Sequence, residues 1–185
     1  MSFNYIVKSK ADLSNLLLFF WIFLCPSFII AQTHSSIKWS GDVISLAIPA
    51  TALGMSFMEE NNLQATKELV LVIGAASWSS YMLKHIIDLD RPDGMEHGFP
   101  STHTSVAFAG ATFICKRYGL KYGLPAIFGA GFVGWSRMQV DKHDIWQVLA
   151  GAGLGWVLGE LITTSGKKTN ITISPSNICL NIKLN

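Results

Sequence analysis

The chain has 185 residues, a length that suits a single domain. Half of the residues are apolar and only 14% are charged, against about 25% in an ordinary soluble domain, so the composition favours a membrane protein over a soluble globule. The formal net charge is +2 and the basic residues are scattered rather than gathered into a stripe, which indicates that nucleic acid is not a partner.

The three cysteines also narrow the class of protein. Cys25, Cys115 and Cys179 are odd in number, lie far apart and lack the spacing of a metal site. The sequence therefore predicts neither a disulfide framework nor a zinc site.

The N-terminal segment, residues 1–31, has two interpretations. Lys8 and Lys10 precede an uncharged run over residues 16–31, which ends at Ala31. A basic start, an apolar middle and a small final residue are typical of a secretory signal peptide. The same run is also compatible with a first transmembrane helix, although it is slightly short of the roughly 20 residues that a bilayer requires.

Five further apolar runs follow, and each predicts a helix. They cover residues 43–58, 69–83, 101–115, 122–135 and 145–164. The first four are short for a span, so tilt or snorkelling side chains must assist. The predicted fold class is an all-α integral membrane helical bundle of five or six transmembrane helices, with a buried soluble bundle as the alternative.

The sequence predicts one functional domain and a short tail. The domain occupies residues 39–166, and the tail, residues 167–185, alternates apolar and polar residues and carries no recognisable chemistry. On the last apolar run, Gly151, Gly155 and Gly159 recur every four residues. This strip of small residues predicts close packing against another helix.

Three polar clusters interrupt the apolar sequence, and the distribution of charge predicts that they share one face of the membrane. The clusters are residues 84–92, 99–103 and 136–147. If the runs span alternately, most of the basic residues outside the clusters fall on one side, the cytoplasmic one: Lys8, Lys10, Lys67, Lys116, Arg117, Lys121, Lys167 and Lys168. The three clusters then meet at the opposite, extracytoplasmic face.

The cations of the clusters indicate an anion site. Lys84, Arg91 and Arg137 each stand near a predicted membrane boundary. Arginine suits bidentate contacts with phosphate, whereas lysine acts as a point charge. Lys84 and Arg91 are seven residues apart, which places them on one helical face if the helix over residues 69–83 extends that far.

The remaining polar residues supply groups for phosphoryl transfer. Ser101 has the position of an N-cap, and a helix N-terminus presents free N–H groups to an anion. His103, in the first turn, can reach a leaving-group oxygen. His143 opens the last helix, and Gln147, four residues on, lies on the same face and can orient the imidazole. One histidine to attack and one to protonate form a complete arrangement without a metal.

The spacing of these residues resembles the three-part signature of the type 2 phosphatidic acid phosphatase family, which shares its site with vanadium haloperoxidases. That signature is Lys, six residues, Arg-Pro; then Pro-Ser-Gly-His; then Ser-Arg, five residues, His, three residues, Asp. The matching residues here are Lys84, Arg91 and Pro92, then Pro100, Ser101 and His103, then Ser136, Arg137 and His143. Thr102 stands where the family has Gly, and Gln147 stands where it has Asp. The resemblance covers roughly residues 41–159.

The resemblance implies a role for each residue. His143 is the expected nucleophile, which forms a phosphohistidine, and His103 is the expected general acid. The phosphate oxygens are then held by Lys84, Arg91, Ser101 and Arg137, with the backbone N–H of Thr102 as a further contact.

The resemblance also implies a membrane enzyme of lipid metabolism that needs no metal or other cofactor. It hydrolyses a lipid phosphate monoester or diphosphate at the extracytoplasmic face, which for a compact bacterial member is the periplasmic side of the inner membrane. Phosphatidic acid, phosphatidylglycerol phosphate, an isoprenyl diphosphate and a lipid A phosphate all fit such a site. The sequence does not choose among them, nor does it give an oligomeric state.

Two other functions remain open from the sequence. Gln147 and Thr102 are compatible with a non-catalytic relative that binds a lipid phosphate without cleaving it. A metal-dependent hydrolase is the other possibility, because carboxylates and imidazoles bind divalent ions. Its donors are Asp88, Asp90, Asp93, His97 and His103.

Overall fold

The computed structural model describes residues 34–58 and 62–165, which fold into five α-helices and contain no strand. The helices are α1 (His34–Phe57), α2 (Asn62–Ile87), α3 (Thr102–Tyr118), α4 (Leu120–Gln139) and α5 (Ile145–Ile162). The prediction of an all-α bundle is confirmed. The predictions for residues 1–31 and for the tail at 167–185 concern segments that lie outside the described residues.

Helix α2 ends earlier than the pairing of Lys84 with Arg91 requires. It stops at Ile87, and Asp88 adopts a φ of 40°, a left-handed conformation that a right-handed helix does not continue through. Arg91 therefore lies in the following loop, so the helix does not extend far enough for the two cations to share a helical face. The loop brings Arg91 to the same cavity as Lys84 by a different route.

Helix α3 is the centre of the bundle, where it packs against α2, α4 and α5. Its buried face is made of small and hydroxyl-bearing residues, among them Thr104, Ser105 and Thr112. Helices α1, α2 and α5 are long and apolar enough to cross a membrane, whereas α3 has 17 residues. Because neighbouring helices surround α3, it needs little apolar surface of its own to face lipid.

The glycine strip of α5 packs directly on α3, as its spacing predicts. Gly151, Gly155 and Gly159 are all buried. A Cβ at Gly155 would overlap the carbonyl oxygen of Ser105 and would lie 2.9 Å from the backbone nitrogen of Ala109. The two backbones can approach this closely only because the strip carries no side chains.

We expect Gly155→Ala to destabilise the bundle, because the added methyl group meets backbone atoms that cannot rotate away. Overpacking of this kind costs about 1–3 kcal/mol, which corresponds to a fall in Tm of roughly 2–10 °C for a chain of this size. Thermal unfolding of the purified protein in detergent measures the change.

The matched control for this prediction is Gly153→Ala on the same helix. A Cβ at Gly153 meets nothing within 4 Å, and alanine favours a helix over glycine by about 1 kcal/mol. The control should therefore unfold at the wild-type temperature or slightly above it. A Tm for Gly155→Ala as high as that of Gly153→Ala would contradict the proposed packing.

Candidate active site

The three polar clusters meet at one end of the bundle, around a cavity of about 350 Å³. The N-terminal parts of α1 and α3 and the C-terminal ends of α2 and α4 contribute to it. The loops before α3 and α5 also contribute. The side chains that line it are mostly basic: Lys38, Asp42, Lys84, Arg91, Thr102, His103, Arg137, Lys142 and His143. A cavity with this concentration of cations is suited to an anion.

His143 is held in one orientation by Gln147. The His143 Nδ1 atom lies 2.9 Å from Gln147 Oε1, and Gln147 Nε2 donates to the Asp90 carbonyl at 2.8 Å. Because a carbonyl only accepts, the amide NH₂ must face Asp90 and the amide oxygen must face His143. His143 therefore carries its proton on Nδ1, which leaves the Nε2 lone pair free to act as a nucleophile.

Burial lowers the pKa of His143 to about 4, and the positive charges of Lys84 and Arg91 act in the same direction. The hydrogen bond to Gln147 opposes this shift without cancelling it. At neutral pH the imidazole is consequently neutral. A neutral imidazole is the form that a nucleophile requires.

Gln147 itself is fixed from several sides and is only 1% exposed. Its backbone N–H donates to Asp144 Oδ1 at 2.8 Å, so the Asp144 carboxylate caps α5. A Cβ at Gly98 would stand 2.6 Å from Gln147 Nε2 and 2.9 Å from Oε1. The loop therefore closes over the carboxamide only because residue 98 is glycine.

The loop that carries Arg91 is closed by its own hydrogen bonds and by Lys84. The Arg91 N–H donates to the Met95 carbonyl at 2.8 Å, and Lys84 Nζ donates to the His97 carbonyl at 2.8 Å. Within residues 34–58 and 62–165, the buried Nε of Arg91 has no hydrogen-bond partner. A buried guanidinium nitrogen without an acceptor is costly, and an anion in the cavity would remove that cost.

The N-terminus of α3 supplies backbone donors rather than the Ser101 hydroxyl. Ser101 occupies the N-cap position, but its side chain makes no capping bond. It is fully buried, accepts a hydrogen bond from Thr104 Oγ1 at 2.9 Å, and is not among the cavity-lining residues. Thr102 lines the cavity within the helix and is not among the residues with positive φ, so a side chain at this position is not strained.

Asp42 is the main residue at the site that the motifs do not include. Arg137 Nη1 donates to Asp42 Oδ1 at 2.6 Å, and His103 Nε2 lies 3.4 Å from the same oxygen. A usable signal was present in the sequence, since Asp42 is the one acidic residue of α1. Lys38 and Lys142 also line the cavity outside the motifs.

The donors suggested for a metal site do not converge in the described part of the chain. Asp88 Oδ1 lies 2.7 Å from His97 Nδ1, and Asp93 Oδ2 accepts from Lys142 Nζ at 2.5 Å. Among residues 34–58 and 62–165, no three His, Cys, Asp or Glu side chains are grouped so that they could hold a metal ion. Asp88 and Asp93 instead contact His97 and Lys142 around the loops.

Comparison with known proteins agrees with the motif spacing. Residues 94–171 match the PAP2 superfamily. The chain is 40% identical over 75 residues to the lipid A 1-phosphatase of Porphyromonas gingivalis, covering 38% of this chain and 17% of that protein. It is 36% identical over 78 residues to the lipid A 4'-phosphatase of Helicobacter pylori, covering 42% of this chain and 39% of that protein.

A plant protein shows a similar partial match. The lipid phosphate phosphatase gamma of Arabidopsis thaliana is 33% identical over 75 residues, which are 34% of this chain and 33% of that protein. The chain thus matches less than half the length of each of these three relatives.

The fold has a counterpart among solved structures. The crystal structure of Aquifex aeolicus LpxE superimposes with a TM-score of 0.61 at 20% identity, over 70% of this chain and 84% of that one. The bundle and its order of helices therefore agree with a known fold, and the sequence match falls on the segment that carries the second and third polar clusters. The resemblance seen in the motifs is confirmed: residues 94–171 match the PAP2 superfamily, and the similar phosphatases together with the apolar helices support a membrane protein.

Proposed function

We propose that this protein is a membrane phosphatase that hydrolyses a lipid phosphate monoester or diphosphate through a phosphohistidine intermediate. One observation carries the proposal: the free Nε2 of a neutral His143 stands at a cavity lined by Lys84, Arg91 and Arg137. A nucleophile beside a cluster of cations is what transfer of a phosphoryl group requires.

In this mechanism the cations hold the phosphate before any bond changes. The guanidinium groups of Arg91 and Arg137 bind its oxygens, and Lys84 contributes a point charge. The uncapped N-terminus of α3, at Thr102, adds backbone N–H groups. The Ser101 hydroxyl does not hold the phosphate directly in this mechanism. It accepts a hydrogen bond from Thr104 Oγ1 behind the lining of the cavity.

The reaction then proceeds in two displacements. The His143 Nε2 lone pair attacks phosphorus, the bond to the lipid oxygen breaks, and His103 gives a proton to that oxygen. A water molecule next attacks the phosphohistidine, giving its proton back to His103, and inorganic phosphate leaves with His143 restored. Gln147 holds Nδ1–H throughout, so that its amide dipole stabilises the positive charge on the phosphorylated imidazole.

The proposed enzyme uses no metal or other cofactor, because the cations of the cavity neutralise the phosphate. The catalytic domain corresponds to residues 39–166. We place the site at the periplasmic side of a bacterial inner membrane. In support, His103 lies at one end of α3 whereas Lys116 and Arg117 lie at the other, and basic residues favour the cytoplasmic side.

Lipid A phosphate is the first substrate to test, because two of the similar proteins are named for phosphatase activity on lipid A. Phosphate release from lipid A should be compared with release from phosphatidic acid, phosphatidylglycerol phosphate and an isoprenyl diphosphate, all with a chelator present. We expect turnover of at least one of these lipids. If none of these lipids releases phosphate, the proposed activity is refuted. If activity is present without the chelator and lost with it, metal independence is refuted.

The low pKa of His143 predicts activity in mild acid. The nucleophile must be neutral, and its pKa lies at about 4 rather than near the ordinary value of 6.5. Protonation of His143 should therefore not reduce kcat/KM until the pH falls well below 6.5. The measurement is kcat/KM as a function of pH for one substrate.

The variant Gln147→Asp distinguishes protonation of His143 from protonation of the substrate as the cause of the acid limb. An anion beside the imidazole favours its protonated form, so the acid limb should move to higher pH while the substrate stays the same. An acid limb that lies in the same place in the wild type and in Gln147→Asp would contradict the assignment of that limb to His143.

A further inference from the structure

Helix α1 contributes a carboxylate to the site, although none of the three motifs lies on that helix. The oxygen Asp42 Oδ1 lies 2.6 Å from Arg137 Nη1 and 3.4 Å from His103 Nε2. One anionic oxygen thus stands between the side chain proposed to hold the phosphate and the side chain proposed to protonate the leaving group. Asp42 is 37% exposed and lines the cavity.

The approach of α1 to Arg137 depends on a glycine. A Cβ at Gly41 would overlap both Ser136 Oγ and Arg137 Nη2, so only glycine lets the helix come this close. Arg137 Nη2 also donates to the Lys38 carbonyl at 2.8 Å. Lys38 and Asp42, one turn apart on α1, therefore both accept hydrogen bonds from the guanidinium group of Arg137, whose side chain is only 3% exposed.

The same carboxylate acts on the protonation of His103. Burial of the imidazole disfavours its protonated form, and the positive charges of Arg137 on α4, Lys84 on α2 and Arg91 in the loop act in the same direction. Asp42, on α1, is the anion that opposes them. Without it, the imidazolium form of His103, which alone has a proton to give as a general acid, would be populated still less.

We propose that Asp42 is a positioning residue for protonation of the leaving group, an inference that rests on the proposed function. Its carboxylate lies 3.4 Å from His103 Nε2, where it favours the imidazolium over the neutral imidazole. When the phosphorus–oxygen bond breaks, the proton of His103 passes to the lipid oxygen, and the water that attacks in the second displacement returns a proton to His103. The carboxylate accompanies the imidazolium and forms no bond to phosphorus.

The Asp42 carboxylate should also weaken binding of the phosphate group, which predicts a specific change in kcat and KM. A negative charge inside the cavity repels a phosphate dianion, so Asp42 weakens ground-state binding while it assists the chemical step. Removal of the charge should therefore lower kcat and lower KM together, which is the pattern of a lost ground-state penalty. A merely structural role would raise KM.

The test uses Asp42→Asn in the full chain, with two substrates that differ in leaving group. A lipid phosphate has an alkoxide leaving group that requires protonation, whereas p-nitrophenyl phosphate has a leaving group that departs without it. General acid catalysis is worth about 10²–10⁴-fold, so we expect kcat on the lipid to fall by about 10–100-fold. The fall on the aryl phosphate should be several-fold smaller, and the basic limb of the lipid pH profile should move to lower pH.

Two further variants complete the experiment. Asp141→Asn removes the charge of an exposed acid that does not line the cavity and should leave both rates unchanged. Asp42→Glu keeps the carboxylate and should retain more activity on the lipid than Asp42→Asn. Equal losses on the two substrates, or a raised KM in Asp42→Asn, would overturn the proposal.

A binding measurement keeps this inference separate from the proposed activity. Calorimetric titration with inorganic phosphate needs no turnover, and Asp42→Asn should bind phosphate several-fold more tightly than the wild type at neutral pH. Unchanged or weaker phosphate binding in a variant with the wild-type Tm would overturn the role of Asp42.

If neither substrate is cleaved by the wild type, the proposed function fails, and phosphate affinity alone decides whether Asp42 is the internal anion of the site. If Asp42→Asn does not fold, Asp42→Glu with the same titration should bind phosphate as the wild type does, and tighter binding would contradict the proposal.

Discussion

His143→Ala is expected to abolish phosphate release, with a loss in kcat of at least about 10³-fold, because a phosphohistidine cannot form without the imidazole. In subtilisin, loss of the nucleophile costs about 10⁶-fold in kcat, so the smaller figure is a lower bound. His143 is 5% exposed and lines the cavity. Removing it takes away the attacking atom while Lys84 and Arg91 remain to bind the substrate.

A phosphorylated intermediate can be trapped directly. After rapid mixing with a ³²P-labelled lipid phosphate and denaturation in alkali, the wild type should retain protein-bound label that is released in acid, the behaviour of a phosphoramidate. His143→Ala should retain none. His85→Ala is the matched control, because His85 is an exposed histidine on α2 that does not line the cavity, and it should behave as the wild type does. Turnover by His143→Ala at the wild-type rate would refute the mechanism.

The helices were predictable because their signals are local. Apolar runs and the spacing of small residues determine where α5 lies and which face of it meets α3, and Gly155 does sit against Ser105. The meeting of the motif residues was predictable for a related reason. A chain that crosses the bundle repeatedly returns its alternate loops to one end, so clusters such as those at His103 and His143 meet there.

The contacts that complete the site depend on how helices and loops dock, which no short stretch of sequence encodes. Arg91 reaches the cavity because the chain leaves the helix at Asp88 and turns back, whereas the spacing of seven residues would align it with Lys84 only in a continuous helix. Asp42 meets Arg137 only because Gly41 admits a close approach of α1. The carboxamide of Gln147 is enclosed only because the loop passes over it at Gly98.

Gln147 shows why a departure from a motif has to be judged in three dimensions. By sequence it replaces an acid, which suggests a weakened site. In the structure its amide makes two different hydrogen bonds, one to His143 through oxygen and one to the Asp90 carbonyl through nitrogen. A carboxylate can accept from the imidazole but cannot donate to the carbonyl. The glutamine therefore connects the nucleophile to the loop of Arg91, which an aspartate would not do.

We expect Gln147→Leu to reduce kcat by about 10²–10⁴-fold, because it removes the acceptor that fixes the tautomer of His143. The comparison is the orienting aspartate of serine proteases, whose neutral replacement costs about 10⁴-fold in kcat. Leucine has a similar size, so the space under Gly98 stays filled.

Gln147→Glu has the same shape as the wild type and keeps an acceptor for His143, but it places a carboxylate against the Asp90 carbonyl. It should retain more kcat than Gln147→Leu and show a raised KM, since the loop that carries Arg91 loses its bond.

The variant Gln147→Asp distinguishes an enzyme from a non-catalytic binder of lipid phosphates. An aspartate is one methylene shorter, leaves the Asp90 carbonyl without its donor and opens a gap beneath Gly98. We therefore expect wild-type turnover to equal or exceed that of Gln147→Asp, measured as phosphate release under identical conditions with Tm as the control for folding. A wild type that is almost inactive, beside a strongly active Gln147→Asp, would show instead that glutamine disables the site. Robust wild-type activity would establish that the pair of hydrogen bonds made by Gln147 serves catalysis in place of a carboxylate.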